Sequence, residues 1–470
     1  MKLILLWLPI TIFAEFNAMN IAFREDFLQN IYTHALESWP NYIINTDLED
    51  IIIQTEDPNY PTAKFSNIIL TDISLNYSSP ITIKESDVIE LSINDVNAFF
   101  DSNLTLQGGE TPLENPCKLE INETDITIYI FIFMGNDGEA VVGVKNSLAN
   151  IGNISLMNTL NETINEAIWK GLQKEIAIFE KEIIGLFEKY VIEWNHYLSQ
   201  RPYKTPLKDL GIVVDTHLAH NATTTNNYLS LPLIGTVLNA KTGLPILNYT
   251  SSTLPSSSQR QFPIQLFLSD YFVNSALIQW WINLSVDLLT LPPNFPFKLT
   301  TNGLAFFVPQ LQLTYGKNKP VYIQFTADPE NPIPSFTTNN AVYFQGYIQM
   351  IFWVQIQKSW VRAFNMQVLT NAVFPLSIVN TTATYKINSL QASKISVTDS
   401  NVGTINTLLT ANVLNNVFQI LIPFINLQYD QMNVKIPDLE HYKIQGDIVN
   451  VYKGYTEIDY FLIPIIQNKF

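Results

Sequence analysis

Two histidines three positions apart, His217 and His220, come closer in type and spacing to a metal site than any other pair in this sequence. Such a pair could share one ion, but a tetrahedral site needs further cysteine, histidine or acidic ligands. We expect no neighbouring residue to complete that set. The prediction is therefore two exposed loop histidines and no bound metal.

The single cysteine, Cys117, could in principle pair with a distant histidine as a nucleophile. A lone thiol next to Pro116 on a predicted strand is more often a packed side chain. No two glycines have the spacing of a G-x-S-x-G or a G-x-G motif. GEAVVGVK (138–145) has Val144 where a P-loop needs its lysine, so it is interpreted as a strand. Since no pair of acids is singled out by spacing either, we predict no enzyme and no cofactor.

The composition is that of a globular chain rich in uncharged polar residues. Charged residues make up 14% of the sequence, compared with about 25% in ordinary globular domains. The apolar fraction is 47%, and the net charge is −16 with no evident basic stripe. This balance argues against nucleic-acid binding and against electrostatic docking to anionic lipid surfaces.

The N-terminus predicts a signal peptide over residues 1–14. Lys2 precedes an apolar run from Leu3 to Phe13, and Ala14 offers a cleavage point. The run is shorter than the roughly 20 residues that span a bilayer; the alternative is a buried first strand. We expect secretion, to the outside or to an endomembrane lumen. Candidate glycosylation sequons begin at Asn76, Asn103, Asn122, Asn153, Asn161, Asn221, Asn248, Asn283 and Asn380.

Helical periodicity occurs in four segments, and strand-like alternation fills the intervals between them. The helices are predicted over 23–38, 161–198, 269–284 and 403–427, the second as one continuous rod capped by Asn161 and the third capped by Ser269 or Asp270. The strand candidates start at Ser66, Asp87, Cys117, Ala341, His441 and Thr456. Helix–strands–helix occurs twice, separated by the linker-like segment 251–263, so the pattern predicts two similar α+β domains.

Four segments in the second half resemble one known family, that of the bactericidal/permeability-increasing, lipopolysaccharide-binding and cholesteryl ester transfer proteins. They occur in the family's order over the C-terminal part of the chain, whereas the N-terminal half agrees in layout alone. The segments are FLSDYFVNSALIQWW (267–281), FKLTTNGLAFFVPQL (297–311), DSNVGTINTLLTANVLNNVFQILIPFIN (399–426) and IPDLEHYKIQGDIVNVYKGYTEIDYFL (436–462).

The resemblance implies an α+β fold of two tandem tubular lipid-binding barrels, each a curved antiparallel sheet around a long helix. A central sheet would join them into a boomerang. The implied bounds are 15–210 for the N-terminal barrel, 211–262 for the interdomain segment and central sheet, and 263–470 for the C-terminal barrel.

In this family an acyl chain lies between helix and sheet. Such an enclosed position is favourable because each CH₂ group left in water costs about 0.8 kcal/mol. The residues expected to line the two slots have ordinary core packing as their alternative role. They are Phe27, Ile31, Ile176, Phe179, Ile183 and Phe187 in the first, and Val273, Leu277, Trp280, Ile405, Leu409 and Val413 in the second.

Two departures from the family pattern affect the expected function. The family's disulfide joins a strand cysteine, similar to Cys117, to a helix position near Ala177 here, so Cys117 is expected to be a free thiol. The family's basic cluster at the first barrel tip is also missing, because residues 85–117 hold seven acids and no Lys or Arg. Because phosphate recognition uses such cations, binding of lipopolysaccharide through this tip is not expected here.

The sequence therefore favours a secreted, monomeric lipid-binding or lipid-transfer protein whose partner is a phospholipid or other acyl lipid. Transient contact with a membrane or lipid particle is compatible with that role, and nucleic acid is not an expected partner. One alternative is a defence protein of the same fold that recognises microbes or lipopolysaccharide, which the acidic tip disfavours. Another is a surface protein with empty, collapsed barrels.

Overall fold

The computed structural model describes residues 17–108, 111–200, 202–207, 211–225, 227–247, 253–282, 285–291, 297–328, 335–379, 382–429, 434–435 and 442–464. In the first half, helices and strands follow in the order β1 (Met19–Arg24), α1 (Glu25–Ser38), α2 (Pro40–Ile43), β2 (Asp47–Leu48), β3 (Ile51–Gln54), β4 (Thr62–Ser74), β5 (Ile81–Lys84), β6 (Val88–Gln107), β7 (Leu113–Met134), β8 (Ala140–Asn150), β9 (Asn153–Met157), α3 (Glu162–Lys174), α4 (Ile176–Ser199), β10 (Lys204–Leu207), β11 (Ile212–Asp215), β12 (Thr223–Thr225), β13 (Tyr228–Leu233) and β14 (Val237–Asn239).

The second half repeats the alternation of strands and helices. Its elements are β15 (Ile264–Ser269), α5 (Asp270–Ile282), β16 (Ser285–Leu288), α6 (Pro309–Tyr315), β17 (Val321–Ala327), β18 (Ser335–Thr338), β19 (Val342–Ile356), β20 (Ser359–Phe374), β21 (Leu376–Val379), β22 (Thr382–Tyr385), β23 (Ser389–Ser400), α7 (Thr407–Tyr429), β24 (Val434–Lys435), β25 (Tyr442–Tyr452) and β26 (Tyr455–Pro464). The mixed α+β class is confirmed, as is the strand interpretation of GEAVVGVK, which lies mostly in β8.

Antiparallel sheets organise the chain into two units. The first unit holds the sheet β2-β4-β6-β7-β8, to which β3, β5 and β9 add, and its core lies between that sheet and α1 to α4. The second unit holds the sheet β16-β17-β19-β20-β23, to which β18 adds, and its core lies against α5 to α7. Smaller sheets are β10-β11-β14 and β21-β22-β24.

A central sheet with strand order β12-β13-β1-β15-β26-β25 joins the two halves. β1 lies between β13 and β15, with Met19 opposite both Leu233 and Leu268. One face of this sheet is polar and buried, because Asn20, Gln265 and Asp459 point to it. The described part of the linker-like segment, 253–262, packs over that face and is therefore not a free linker.

Hydrogen bonds fasten this segment to the sheet. Asn20 donates to the Pro255 carbonyl over 2.6 Å, and Gln265 donates to the Arg260 carbonyl over 2.7 Å. The Tyr228 hydroxyl donates toward the carbonyls of Arg260 and Phe262, at 2.9 Å each. The segment thus satisfies buried side chains that would otherwise lack partners.

The sheet of the first unit is interrupted by bulges at two places. One register shift interrupts β4 next to Asn67, opposite Asp101 of β6, and another interrupts β6 next to Asp95, opposite β7 near Glu123. All three positive-φ residues, Asn67, Asp95 and Glu123, have φ between 50° and 54°. Because a bulge bends a strand and increases its twist, these bulges curve the sheet.

The prediction of one continuous helix over 161–198 is wrong, because the structure has two helices there, α3 and α4. Asn161 does cap α3, accepting from the Ile164 N–H over 2.9 Å. At Glu175, however, φ is −107° and ψ is 20°, which separates α3 from α4. Upstream of the break, Gly171 lies so close to β3 that a Cβ would sit 2.5 Å from the Gln54 carbonyl oxygen. The two helices can thus follow a curved sheet that a straight rod could not.

The prediction for the first helix needs adjustment, whereas the predicted cap of the third is confirmed. The first helix begins at Glu25, since Phe23 belongs to β1. The third is capped as expected, with the Ser269 hydroxyl accepting from the Phe272 N–H over 3.2 Å.

Cys117 is a free, buried thiol whose Sγ lies 2.9 Å from the Ser102 hydroxyl. Burial raises the pKa of this thiol, which disfavours the reactive thiolate. We expect iodoacetamide to label it on the order of a hundredfold more slowly in native protein than in urea, since labelling requires local opening. Equal rates in a mass-spectrometric time course would contradict its burial.

Candidate functional site

An apolar cavity lies between α7 and the sheet of the second unit. Its volume is about 30 Å³, close to the share of one water molecule in the liquid. Every lining residue is apolar: Leu288, Leu291, Phe297, Leu299, Leu304, Phe306, Phe307, Ile323, Phe325, Met350, Phe352, Leu414, Val417, Phe418 and Leu421. With no hydrogen-bonding side chain in its wall, the cavity suits hydrocarbon.

The walls follow from the local sequence. Inward-facing residues of β17 and β19 alternate with outward ones, which brings Ile323 and Phe352 directly opposite each other. On α7, Leu414, Phe418 and Leu421 have spacings of four and three residues and share one face. The third wall is the segment after Phe297, whose ring lies 5.2 Å from that of Phe306.

Phe306 marks where this cavity meets the surface. It lines the cavity, yet half of its side chain is exposed, at 50%. Its neighbour Phe307 is buried and contacts Phe352, with ring centroids 6.0 Å apart. Met350, a flexible side chain, lies in the opposite wall. Aromatic and thioether side chains therefore form the wall between the surface and the cavity.

In the first unit, three of the six predicted slot residues come together. Phe179, Ile183 and Phe187 are buried on α4 in the core beneath the sheet, and Ile176 is partly buried against it. The Phe187 ring contacts that of Trp39, with ring centroids 3.9 Å apart. The other two lie elsewhere: Phe27 packs at the central sheet with Ile264 and Tyr460, and Ile31 is exposed.

In the second unit, the predicted residues surround the same core as the cavity but do not line it. Ile405 is buried there, and Val273, Leu277 and Val413 are partly buried against it. Leu409 is exposed, and the Trp280 side chain lies outside the described residues. Whether any of these twelve residues contacts lipid remains a prediction.

The buried face of α7 is rotated by about one residue from the one predicted with Leu409. Leu409 is exposed, whereas Thr410, Leu414 and Phe418 are buried. The helix carries no charged residue and is apolar on most sides, so its sequence leaves the buried face ambiguous. One sequence feature could have indicated the residues that line the cavity. It is the adjacent pair Phe306 and Phe307, in the segment 297–311 that resembles the family.

Three asparagines on the helices each make a pair of hydrogen bonds to the backbone of one other residue, an arrangement that the sequence did not reveal. Asn195 on α4 accepts from the Val142 N–H over 2.7 Å and donates to the same residue's carbonyl over 2.8 Å. Asn415 on α7 makes the same pair of bonds with Ala392, at 2.6 and 3.1 Å, and Asn426 makes them with Ile387, at 2.7 and 3.1 Å. Val142 is on β8 and Ala392 on β23, the last strands of their sheets, so the amides cover strand edges.

These bonds, which we call the asparagine latches, fix each helix along one margin of its sheet. At the latch of the first unit, a surface groove of about 520 Å³ runs between β8 and α4, and the latch residues Val142 and Asn195 line it together with Lys145, Glu188 and Ile192. Because the groove wall is mixed in polarity, it suits hydrocarbon less well than the cavity of the second unit does.

The histidines do not form a metal site in the described part of the chain. His217 Nδ1 lies 2.5 Å from Asp215 Oδ1, an acidic partner that the spacing of the histidines did not reveal, and the ring stacks on Tyr203. His220 contacts the Asn221 carbonyl instead. Among the residues described, no three His, Cys, Asp or Glu side chains are grouped as metal ligands.

The predicted sequons remain untested as glycosylation sites. Asn103, Asn153, Asn161 and Asn221 are exposed, and Asn76 and Asn122 are half-buried. Asn248, Asn283 and Asn380 lie outside the described residues, as does the predicted signal peptide. Across the described ranges, no helix is both long and apolar enough to cross a membrane.

Comparison with solved structures supports the fold. The chain is similar to a crystal structure of lipopolysaccharide binding protein, at 16% identity and a TM-score of 0.55, over 96% of this chain and 99% of that one. Takeout 1 of Epiphyas postvittana (13% identity, 37% of this chain and 92% of that one, TM-score 0.26) and P47 of Clostridium botulinum A2 (9%, 95% and 97%, 0.29) superpose too poorly to inform the fold.

Comparison with sequences addresses the family. No curated protein gives a significant match. A family model, described as "LBP / BPI / CETP family, C-terminal domain", matches residues 208–460. This span contains nearly all of the four segments on which the resemblance was based, and it covers more than half of the chain. The protein therefore belongs to the LBP / BPI / CETP family.

Proposed function

We propose that the protein is a secreted lipid-binding or lipid-transfer protein that holds an acyl chain between α7 and the sheet of the second unit. The observation that carries the proposal is the cavity wall, which is apolar at every position and reaches the surface at Phe306. Family membership supports a lipid ligand. We assign the protein no catalytic role.

A bound chain requires the cavity to widen, because its volume is only about 30 Å³, about the share of one water molecule in the liquid. Ten methylenes transferred from water gain roughly 8 kcal/mol, which can offset displaced side chains. The widening is expected away from the asparagine latches, where side-chain packing alone holds α7 to the sheet. By analogy we propose a second slot between α4 and the sheet of the first unit, around Phe179.

The tubular form of each unit and the boomerang arrangement belong to the same proposal. The bulges, which curve the first sheet, and the central sheet shared by both halves support it. Lipopolysaccharide binding, for which the solved relative is named, is a weaker candidate here. The reason is that residues 85–117 of the first unit hold no cationic cluster.

Filling the cavity tests the proposal. In Val417→Trp a lining residue on α7 becomes larger, and saturable binding of cis-parinaric acid should fall by about half if two slots bind equally. The matched control is Ile420→Trp, one turn away on the exposed face of the same helix. Overpacking costs about 1–3 kcal/mol, so both variants should remain folded.

Lipid extraction and mass spectrometry of the secreted wild-type protein provide an independent readout. A co-purified acyl lipid is the expected result. Absence of both a co-purified lipid and saturable probe binding would refute lipid binding altogether. If Val417→Trp bound the probe as well as Ile420→Trp does, the slot would have to lie elsewhere.

A further inference from the structure

The charge of this protein is segregated along the chain. Residues 288–429 contain seven Lys or Arg and three Asp or Glu, a net charge of +4, although the whole chain carries −16. The rest of the chain therefore holds 19 basic and 39 acidic residues. The average charge, which argued against an anionic partner, conceals a cationic stretch within the second unit.

Four lysines of this unit lie near one end of its sheet. They are Lys298, Lys317, Lys319 and Lys358, and all are exposed. β19 begins at Val342 beside the central sheet, where the Asn340 N–H bonds to the Val451 carbonyl. It then runs for 15 residues, about 50 Å, to the turn that holds Lys358. The lysines are thus at the end of the unit farthest from the central sheet.

Hydrogen bonds hold the segments of this end together. Thr301 exchanges backbone and side-chain bonds with Gly316 and Lys319, and the Gln355 N–H bonds to the Pro320 carbonyl over 2.9 Å. Gln310 on α6 donates to the Thr404 carbonyl over 2.8 Å, which places α6 beside the start of α7. We call this region the distal end: residues 297–320, the turn at 357–358 and residues 401–409.

The distal end also exposes large apolar side chains. Leu313 on α6 is 82% exposed, and Leu408 in the first turn of α7 is 76% exposed. Leu409 and Phe306 are about half exposed, and Phe306 is the residue at which the apolar cavity reaches the surface. Exposed leucines and phenylalanine among lysines form the pattern by which proteins insert into the interface of an anionic bilayer.

Several lysines of the first unit, unlike those of the distal end, are held in ion pairs. Within the described residues, ion pairs join Lys64 to Asp50 at 2.7 Å, Lys174 to Glu56 at 2.6 Å, Lys170 to Glu166 at 3.0 Å and Lys118 to Asp101 at 3.7 Å. The four lysines of the distal end make no ion pair with any residue that the structure describes. Asp399, the acid nearest to this end in sequence, is paired with Arg362 at 3.4 Å. A cluster of unpaired cationic charge is therefore available at the distal end.

We propose that the distal end of the second unit docks onto the surface of an anionic phospholipid membrane. Leu313, Leu408 and Phe306 enter the headgroup region, and Lys298, Lys317, Lys319 and Lys358 contact the phosphates and acidic headgroups. This docking places the surface opening of the apolar cavity against the lipid. The docking itself does not depend on the proposed function. The proposal rests on that function in one respect, which is that a lipid held in the cavity is what the opening exchanges with the membrane.

Vesicle co-sedimentation of the full chain tests the proposal. Binding is expected to vesicles made of equal parts phosphatidylcholine and phosphatidylserine, to fall on adding salt, and to be weak on phosphatidylcholine alone. Each lysine near such a surface contributes about fivefold in affinity, so Lys317→Ala with Lys319→Ala should weaken binding roughly 25-fold. Leu313→Ser with Leu408→Ser should also lose binding.

Matched controls separate the surface from general effects. Lys64→Ala with Lys118→Ala removes as much charge from the first unit, and Leu148→Ser removes an exposed leucine there; neither should change vesicle binding. Cis-parinaric acid binding, measured without vesicles, should be unchanged in the distal-end variants. That readout distinguishes loss of docking from loss of the slot.

Three outcomes would overturn the proposal. Wild-type protein that fails to sediment with anionic vesicles while it binds cis-parinaric acid has a slot but no docking surface. Equal loss of binding in the first-unit lysine control would assign the effect to net charge. A dimer that Leu313→Ser with Leu408→Ser dissociates, without any vesicle binding, would identify the distal end as an interface between copies of the chain.

Discussion

Replacing Asp459 with asparagine is expected to stabilise the protein at neutral and alkaline pH and to flatten the dependence of its stability on pH. Asp459 on β26 is 0% exposed, and Glu457, two residues earlier on the same face, is buried beside it. Arg260 approaches Asp459 Oδ2 to 3.5 Å from the segment that covers the sheet. Burial, and then the charge of Glu457, raise the pKa of Asp459 to about 7.

The direction of the effect follows from proton binding. An unfolded chain releases this proton near pH 4, whereas the folded protein keeps it until the pH reaches about 7. Between these values the folded state binds more protons, so the free energy of unfolding falls as the pH rises and levels off above pH 7. A pKa that is higher by three in the folded protein would lower the free energy of unfolding by about 4 kcal/mol above pH 7. Because Arg260 is partly solvated, we expect the free energy of unfolding to fall by roughly 2 kcal/mol.

Urea unfolding at intervals from pH 5 to pH 8 measures this effect. Wild-type stability should decline over the range, and Asp459→Asn should remove the decline. Asp101→Asn, which breaks an exposed pair with Lys118, should leave the slope unchanged. A wild-type protein that became more stable between pH 5 and pH 8 would show that another group dominates.

Removing one asparagine latch should destabilise the second unit strongly. In Asn415→Ala the N–H and the carbonyl of Ala392 both lose their partner, although Ala392 is buried at the edge of the sheet. Leaving a buried polar group without a hydrogen bond costs about 1–3 kcal/mol. We expect a loss of about 3 kcal/mol in the free energy of unfolding.

The neighbouring residue provides the control. Asn416 lies on the same helix with its side chain exposed, so Asn416→Ala should change stability by less than about 0.5 kcal/mol. Hydrogen exchange should localise the effect, with faster exchange along β23 in Asn415→Ala. Equal stability of the two variants would mean that the edge of β23 finds other partners, such as water.

Local signals in the sequence predicted individual elements well. Asn161 and Ser269 cap helices because their side chains can accept from an N–H three residues on, which depends on nothing distant. Long strands such as β7 and β19 were found from their alternation. The family was found from four segments of the second half, and the match over 208–460 confirms it.

Features that depend on distant partners were not predicted. Nothing near Asn195 or Asn415 in sequence distinguishes a latch from a solvated asparagine, because the partner is the backbone of another element. The break at Glu175 depends on the curvature of a sheet formed by other residues. The buried face of α7 is ambiguous because nearly every side of the helix is apolar. The local charge of the second unit was masked by averaging over the whole chain.

The position of β1 affects the order in which the chain can fold. β1 is among the earliest described residues to leave the ribosome, yet both of its neighbours, β13 and β15, lie far later in the chain. β15 in turn pairs with β26, which is formed by the last of the described residues. The central sheet therefore cannot close until β26 has been synthesised, and contacts between such distant segments form slowly. Until then the edge of β15 that pairs with β26 stays open, and such an unpaired edge makes a folding chain prone to aggregate.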